Sequence, residues 1–448
     1  MKIFFVSLGC DKNLVDSEIM LGLTRDRGFE LTNVEEEADV IVVNTCAFIS
    51  DAKQESIETI LEMAEYKTTG SLKALIVTGC LAQRYKEEIY QEIPEVDGIV
   101  GSSSYDEIVT VIDRCIEGEK RVSVYKDLEY MTETNTRRIV TTGGTFSYVK
   151  IAEGCDKHCT YCIIPSLRGH YRSVPMERVL KQARELAENG VKELMLVAQE
   201  TTLYGVDLYG KKYLPELLRE LCKIDGIEWI RILYCYPEEI TDELIQVMKE
   251  EKKICHYLDM PIQHGTDEIL KRMARRTNKQ ELKDIVKKLR DNIPDIVLRT
   301  TLITGFPGET EELHEELLEF VKEMKFERLG VFTYSKEEDT PAAKLKGQVT
   351  KKVKEARQKE IMEVQQQIAF EHAKSMIGKE LEVMIEGKLP EEGDEPGEYV
   401  YIGRTYMDAP NIDGYIFVNV NDIEIMSGTF AKVRVIDANG YDLIGELV

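Results

Sequence analysis

Three cysteines stand within eight residues in Cys155-Asp-Lys-His-Cys159-Thr-Tyr-Cys162, a C-x3-C-x2-C run. Three thiolates on so short a loop can take three corners of one cuboidal cluster, and soft thiolate ligands suit iron–sulfur or zinc. The fourth ligand separates these readings. A structural zinc site closes with four ligands, and only His158 stands nearby, between two of the cysteines, where it fits poorly. A three-thiolate 4Fe–4S cluster instead leaves one iron open for a substrate or cofactor. Spacing favours the cluster; zinc and unligated structural thiols are the alternatives. Three further cysteines, Cys10, Cys46 and Cys80, each come just after a short apolar run. Singly, each reads as core packing. Together they share one edge if the runs are parallel strands, because ligands in open α/β sheets gather at the strands' carboxyl ends. Cys115, Cys222, Cys235 and Cys255 lie in or beside apolar stretches and read as core or near-surface thiols; of these, Cys235 is near enough to a strand end to face a cavity.

The elements that must position these thiols emerge from periodicity. Ile3–Leu8, Val40–Val43, Ala74–Thr78 and Gly98–Val100 are apolar runs, each succeeded by an amphipathic stretch, the βα alternation of a parallel sheet covered on both faces. The polar stretch Met131–Arg138 and Thr142-Gly143-Gly144 has linker composition and predicts a domain boundary. Beyond it come six strand candidates, Ser147–Ala152, Glu193–Val197, Trp229–Tyr234, Tyr257–Ile262, Val297–Ile303 and Leu329–Tyr334, each preceding a helical stretch such as Met176–Asn189 or Thr310–Met324. Six βα units predict a partial (β/α)6 barrel with its active site where the strands end. A Lys-, Glu- and Gln-rich helix over Val349–Ser375 leads out of it. From Gly378 the runs shorten (Glu380–Glu386, Tyr415–Val420, Gly428–Ile436, Asp442–Val448) between Gly, Pro and Asp turns, which suits a small five-stranded β-barrel of the OB-like kind. The fold class is therefore α/β with a C-terminal β-barrel, without internal repeats or low-complexity tracts.

A chain of 448 residues with 43% hydrophobic content has room for about three domains with real cores. Its net charge of −24 disfavours action mainly through phosphate contacts. No run of about 18 apolar residues predicts a membrane span, and the N-terminus reads straight into a strand. A cytoplasmic protein is expected, and in a reducing compartment ten cysteines point to metal or redox chemistry, not disulfides.

The C-x3-C-x2-C loop resembles that of the radical S-adenosylmethionine enzymes. The resemblance implies that the open iron chelates the amino acid end of S-adenosylmethionine and that reduction of the sulfonium yields a 5′-deoxyadenosyl radical, while the barrel orients the reactants and excludes water. Gly9-Cys10-Asp-Lys-Asn-Leu-Val-Asp-Ser-Glu18, Asn44-Thr45-Cys46-Ala47-Phe48 and Thr78-Gly79-Cys80-Leu81-Ala82-Gln83 resemble the three motifs of the methylthiotransferases. In that family these three thiolates hold a second 4Fe–4S cluster. The resemblance covers essentially the whole chain and implies a methylthiotransferase domain over 1–130, a radical domain over 143–375 and a TRAM domain over 378–448. It also implies S-adenosylmethionine twice over, one molecule for the methyl group and one for the radical, and an electron donor.

By the same resemblance, Tyr161 stands where an aromatic residue often covers adenine or cluster, although ordinary packing suits it equally. Gln199 and Glu200 come after the second barrel strand, where the family binds the methionine amino group, but without the Gly-Gly-Glu form often found there. Gln263 comes after the fourth strand. Gly305 opens a Gly-rich turn after the fifth, letting backbone approach adenine, or serving only as a strand-to-helix turn. Arg299, within the fifth strand, suits bidentate pairing with the methionine carboxylate or a structural ion pair.

The family modifies either a tRNA adenosine or an aspartate, at its β-carbon, of small-subunit ribosomal protein S twelve. Cys10–Glu18 and Ile164–Ser173 resemble the protein-modifying branch. Charge leans the same way, since Lys379–Val448 holds five Lys or Arg against fifteen Asp or Glu, the run Glu391-Glu392-Gly-Asp394-Glu395 included. An RNA-binding barrel should show the opposite sign; an acidic one suits a basic ribosomal protein, or merely confers solubility. Against this, Lys344–Glu360 carries seven basic residues and two acidic ones, a solvated helix face or a minor contact with ribosomal RNA. The alternatives are a tRNA methylthiotransferase and a non-catalytic iron–sulfur or zinc module that binds ribosomes.

Overall fold

The structure is a computed structural model describing residues 1–132, 136–390, 398–421 and 423–448; part of the polar linker and the acidic run at 391–395 lie outside the described residues. The first sheet has six parallel strands, β1 (Lys2–Ser7), β2 (Glu30–Leu31), β3 (Val40–Thr45), β4 (Ala74–Gly79), β5 (Gly98–Val100) and β6 (Val122–Val124), in the order β2-β1-β3-β4-β5-β6. Its centre, β3 and β4, is buried at every residue. That explains why both read as unbroken apolar runs, since helices cover each face of a parallel sheet. β2 and β6 are additions to the four predicted strands. Both are short edge strands, of two and three residues, with too little sequence to show a period.

The second sheet takes β7 (Phe146–Lys150), β10 (Glu193–Val197), β11 (Trp229–Ile232), β12 (Ile254–Asp259), β13 (Val297–Thr304) and β14 (Arg328–Thr333), all parallel and side by side in chain order. This is the predicted six-stranded partial barrel. Its helices pack by period: Met176–Glu188 buries Val179, Leu180, Ala183 and Leu186 on one face. The first barrel strand stops at Lys150, short of the predicted Ala152. Instead β8 (Ala152–Glu153) pairs antiparallel with β9 (Arg172–Ser173), and this two-residue ladder brackets the cysteine loop.

The third body is a closed barrel of β15 (Glu380–Lys388), β16 (Glu398–Thr405), β17 (Ile416–Asn421), β18 (Phe430–Asn439) and β19 (Asp442–Leu447), ordered β15-β16-β17-β19-β18. The strand absent from the predicted runs is β16, next to the acidic turn. This barrel docks on the second sheet through buried charge. Glu193 receives Arg231 and Arg404, each at 2.7 Å, with all three side chains fully buried, and Arg328 pairs with Asp408 at 2.5 Å. Among the described residues no helix is long and apolar enough to cross a membrane.

Candidate functional site

β1, β3 and β4 are parallel neighbours, so the loops leaving their carboxyl ends meet at one edge. Cys10 precedes the helix Asp11–Arg27, Cys46 comes directly after β3, and Cys80 opens the helix Cys80–Tyr85 after β4. Two glycines make the approach fit. Gly9 has φ +89°, and a Cβ there would sit 2.8 Å from the Cβ of Cys46; Gly79, also at φ +89°, would meet Asn44 Oδ1 at 2.3 Å. Asn13 ties the edge together by donating to the carbonyls of Leu8 at 3.2 Å and Thr45 at 3.0 Å. Burial pushes the Cys46 thiol up to about 12, and the neighbouring Cys80 and Cys10 add to it. Burial raises the Cys80 thiol as well, so these two stay protonated in the absence of a cation, and binding soft metal there would release protons.

The second trio sits on the loop between β8 and β9. A Cβ on Gly154, at φ +79°, would strike the His170 carbonyl oxygen at 2.0 Å, so only glycine lets the two arms of the loop cross. Cys155 N–H donates to the Gly169 carbonyl at 3.2 Å, and Thr160 is pinned by Met273, Arg272 and Ala342. Burial raises Cys155 to about 11 and pushes Cys162 up as well. Cys159 Sγ is 3.9 Å from the Tyr236 hydroxyl. His158 is exposed, which removes the one nearby candidate for a fourth zinc ligand.

The first sheet's edge faces the ends of the second sheet's strands, and buried polar side chains join the two. Arg168 Nη2 lies 3.6 Å from Cys80 Sγ and 2.5 Å from Asn13 Oδ1, while Nη1 reaches Asp16 at 3.0 Å and Glu153 at 3.3 Å. Lys150 shares Asp16 and Glu153. Tyr234 donates to Asp11 at 3.0 Å and lies beneath the Lys12 ammonium, 3.3 Å from the ring centre. On the far side Glu337 takes Lys53 at 2.8 Å and Arg84 at 3.1 Å from the first body. Apart from the Cys10–Glu18 and Ile164–Ser173 motifs that contain some of them, these connecting residues carry no sequence signal as site residues.

The predicted cofactor contacts fall into two groups. Glu200 and Gln199 lie at the end of β10 as expected. Glu200 is buried, its Oε2 has no hydrogen-bond partner, and burial raises its carboxyl to about 7; Gln199 donates to Glu153 at 2.7 Å and leaves its own buried Oε1 unpaired. Buried oxygens that accept no hydrogen bond are what an amino group would satisfy, and the Lys157 ammonium approaches Glu200 Oε2 only to 3.9 Å. Gln263 holds the strand end with φ +70°, its backbone bonded to Thr301 and Ile303. The other three are occupied otherwise. Tyr161 packs edge-on to Phe306, ring centres 6.5 Å apart, in a small apolar cluster with Tyr334. Arg299 is committed to Asp259 at 2.7 Å and approaches Asp413 of the C-terminal barrel at 3.9 Å, the structural ion pair of its two readings. Gly305, at φ +69°, makes room for Lys354, whose Cγ would lie 2.3 Å from an added Cβ. Cys235 is fully buried beside Thr201, 3.4 Å from its hydroxyl, while Cys115 and Cys255 are buried and Cys222 half-buried.

The donor set fits iron–sulfur clusters in kind and number. Each trio supplies three soft thiols, and neighbouring thiols help to raise Cys46 in the first and Cys155 and Cys162 in the second. Among the described residues no group of three or more His, Cys, Asp or Glu is set to hold a single metal ion.

Residues 149–321 match the Radical SAM superfamily, residues 2–101 the Uncharacterized protein family UPF0004 and residues 377–448 the TRAM domain. The chain is 72% identical over 445 residues to the ribosomal protein uS12 methylthiotransferase RimO of Lachnoclostridium phytofermentans, covering 99% of each. With the RimO of Clostridioides difficile it shares 51% over 449 residues, 100% of this chain and 99% of the other. Among solved structures, the radical S-adenosylmethionine methyltransferase TsrM of Kitasatospora setae, with cobalamin and a 4Fe–4S cluster bound, has a TM-score of 0.55 at 13% identity, covering 76% of this chain and 73% of its own. The cobalamin-dependent radical enzyme OxsB has a TM-score of 0.50 at 12% identity, over 81% and 56%. These two show a shared fold. The full-length relatives show more: the chain belongs to the ribosomal protein uS12 methylthiotransferase family, RimO, within the radical S-adenosylmethionine superfamily.

Proposed function

We propose that the chain inserts a methylthio group at the β-carbon of an aspartate in ribosomal protein uS12, with Cys155, Cys159 and Cys162 holding one 4Fe–4S cluster and Cys10, Cys46 and Cys80 a second. The observation that carries this is the pair of thiol trios, one at the carboxyl edge of the first sheet and one on the loop between β8 and β9, in bodies that Arg168 ties together through Cys80, Asp16 and Glu153. A cluster held by three thiolates supplies an open iron for S-adenosylmethionine and the electron for its reductive cleavage. The chain's own residues do the rest. Glu200 and Gln199 offer oxygens free of hydrogen bonds for a cationic amino group, which at Glu200 would share the carboxylate with Lys157. The ion pairs of Glu337 and the Asp16–Arg168–Glu153 network hold the first sheet over the strand ends, excluding water from a reactive radical. We place the domain limits at 1–130, 143–375 and 378–448.

The substrate is basic, and the exposed Glu382, Glu424, Asp437 and Glu446 of the C-terminal barrel suit it. Exposed Lys346, Lys351 and Lys352, beside the Gly308–Gly347 contact that lies beyond β13, suit phosphates of ribosomal RNA near that protein. The work would take place in the cytoplasm, with an electron donor as a further partner. Mass spectrometry of uS12 and of tRNA from a deletion strain tests the reading: the methylthio mass should vanish from uS12 alone. Loss from tRNA with uS12 unchanged would move the chain to nucleoside modification.

A further inference from the structure

We propose that Arg168 is a positioning residue for the N-terminal thiol trio, its guanidinium donating to Cys80 Sγ and thereby raising the reduction potential of the cluster held there. This rests on the assignment of Cys10, Cys46 and Cys80 to a cluster. Arg168 ends the short helix Ile164–Arg168 of the radical body, six residues after Cys162, yet its side chain leaves that body and is 3% exposed. Its two terminal nitrogens divide their work. Nη1 takes both carboxylates, Asp16 at 3.0 Å and Glu153 at 3.3 Å; Nη2 takes neither and turns to Asn13 Oδ1 at 2.5 Å and Cys80 Sγ at 3.6 Å.

Lys150 lies against the same two carboxylates. Two cations therefore meet two anions before the sulfur is counted, and the arginine is not needed at Cys80 to balance the pocket. What it adds is direction. A planar fork fixes the directions of its donors, so a carboxylate on one tine sets where the other tine meets a sulfur, whereas the three donors of an ammonium rotate freely. Hydrogen bonds to ligand sulfurs draw electron density from a cluster and shift its potential upward. The loop trio is treated differently. The hydrogen-bond neighbour of Cys159 is the neutral Tyr236 hydroxyl at 3.9 Å, and the nearby Arg275 stacks 4.2 Å from the Tyr236 ring centre while donating to the Pro261 carbonyl. Cys80 thus receives a charged hydrogen-bond donor, while the hydroxyl at Cys159 is neutral and the cationic side chains of Arg275 and Lys157 act on the loop thiols only through space.

The test uses the full chain carrying Cys155→Ala, Cys159→Ala and Cys162→Ala, so that only the N-terminal centre remains after anaerobic reconstitution, at about four irons per chain. Dye-mediated titration monitored by electron paramagnetic resonance then compares Arg168, Arg168→Lys and Arg168→Gln. The Gln variant should keep its iron and titrate at lower potential than the parent, with Lys between them, because Lys keeps the charge but not the directed donor. Should Gln lose its iron, Lys carries the comparison. A midpoint unchanged from the parent in whichever variant retains iron overturns the proposal. A parent without iron overturns the cluster assignment itself, and the proposal with it.

Discussion

Cys159 and Cys46 are both buried thiols, yet they should fail differently when replaced. Cys159→Ala removes a thiol of the loop trio and, on the proposed assignment, should abolish 5′-deoxyadenosine formation, with iron falling from about eight to about four per chain. Cys46→Ala should lose as much iron while cofactor cleavage persists and methylthio product disappears. Product analysis by liquid chromatography decides, and a Cys159→Ala enzyme that still forms 5′-deoxyadenosine would sink the assignment. Gly79→Ala tests the scaffold behind the thiols. At φ +89°, with its Cβ aimed 2.3 Å from Asn44 Oδ1, alanine must displace a side chain already donating to the Asn13 carbonyl and Ser17. A cost of about 1–3 kcal/mol is the ordinary range for such strain, and since Cys80 is the next residue, iron stoichiometry should fall with the thermal midpoint. The six thiols are legible in the sequence because their spacing and their place after apolar runs are local facts. Asn13, Asp16, Lys150, Glu153 and Arg168 are not legible as one network, because Arg168 meets its partners Asn13 and Asp16 from 155 and 152 residues away.

At the scale of elements, the same contrast divides the long helix Lys351–Lys374. The basic run at its start reads as one solvated face, but two of its cations face inward. Lys354 donates to the Tyr334 carbonyl at 2.6 Å, and Arg357 to Glu309 at 2.9 Å. Gln358 and Gln365 continue that face, donating to the carbonyls of Val331 and Phe326. Lys354, Gln358 and Gln365 thus satisfy carbonyls in β14 and on either side of it, which an edge strand would otherwise leave unpaired. Periodicity reveals the helix but not its duty, since side chains that satisfy a strand edge are polar and look like surface. His372 lies near the end of the same helix, where burial first, then Arg328, lowers its pKa from 6.5 to about 4, against the opposing pull of Asp408; Lys379 and Arg290 lower it further. The unfolded chain therefore takes up this proton before the folded one does. Its contribution to stability is full above pH 6.5 and declines as pH falls from 6.5 to 4. His372→Gln lacks the titration, so the variant should gain on the parent over that interval. Urea midpoints measured for both at about pH 7, 6, 5 and 4 check this; a constant difference would show that His372 charges freely in the fold.

For the whole molecule, net charge is the quantity that the structure redistributes most. A sum of acids over the C-terminal barrel treats all of them as facing outward. Asp408 and Asp413 do not; they are bound to Arg328 and Arg299 beneath the radical sheet, and Arg404, one of the barrel's few cations, is fully buried against Glu193. Breaking such a pair by removing one partner typically costs about 3–5 kcal/mol, so this charge fixes the docking of the barrel and is unavailable to a partner. What remains outside among the described residues is Glu382, Glu424, Asp437 and Glu446, the last only 3.9 Å from Arg434, together with Glu380, which is held more closely by Lys432 and Arg434. The partner-facing hypothesis therefore narrows from a whole-domain sum to four side chains. Replacing those four by Lys should weaken binding of a basic uS12 peptide, and the deficit should shrink as salt is raised, because exposed charges are screened within about 10 Å at 0.1 M. Fluorescence anisotropy at two ionic strengths measures both effects. Equal affinity for parent and variant at low salt would assign the acidity of this face to solubility, and substrate choice would then have to lie at the rim of the active site.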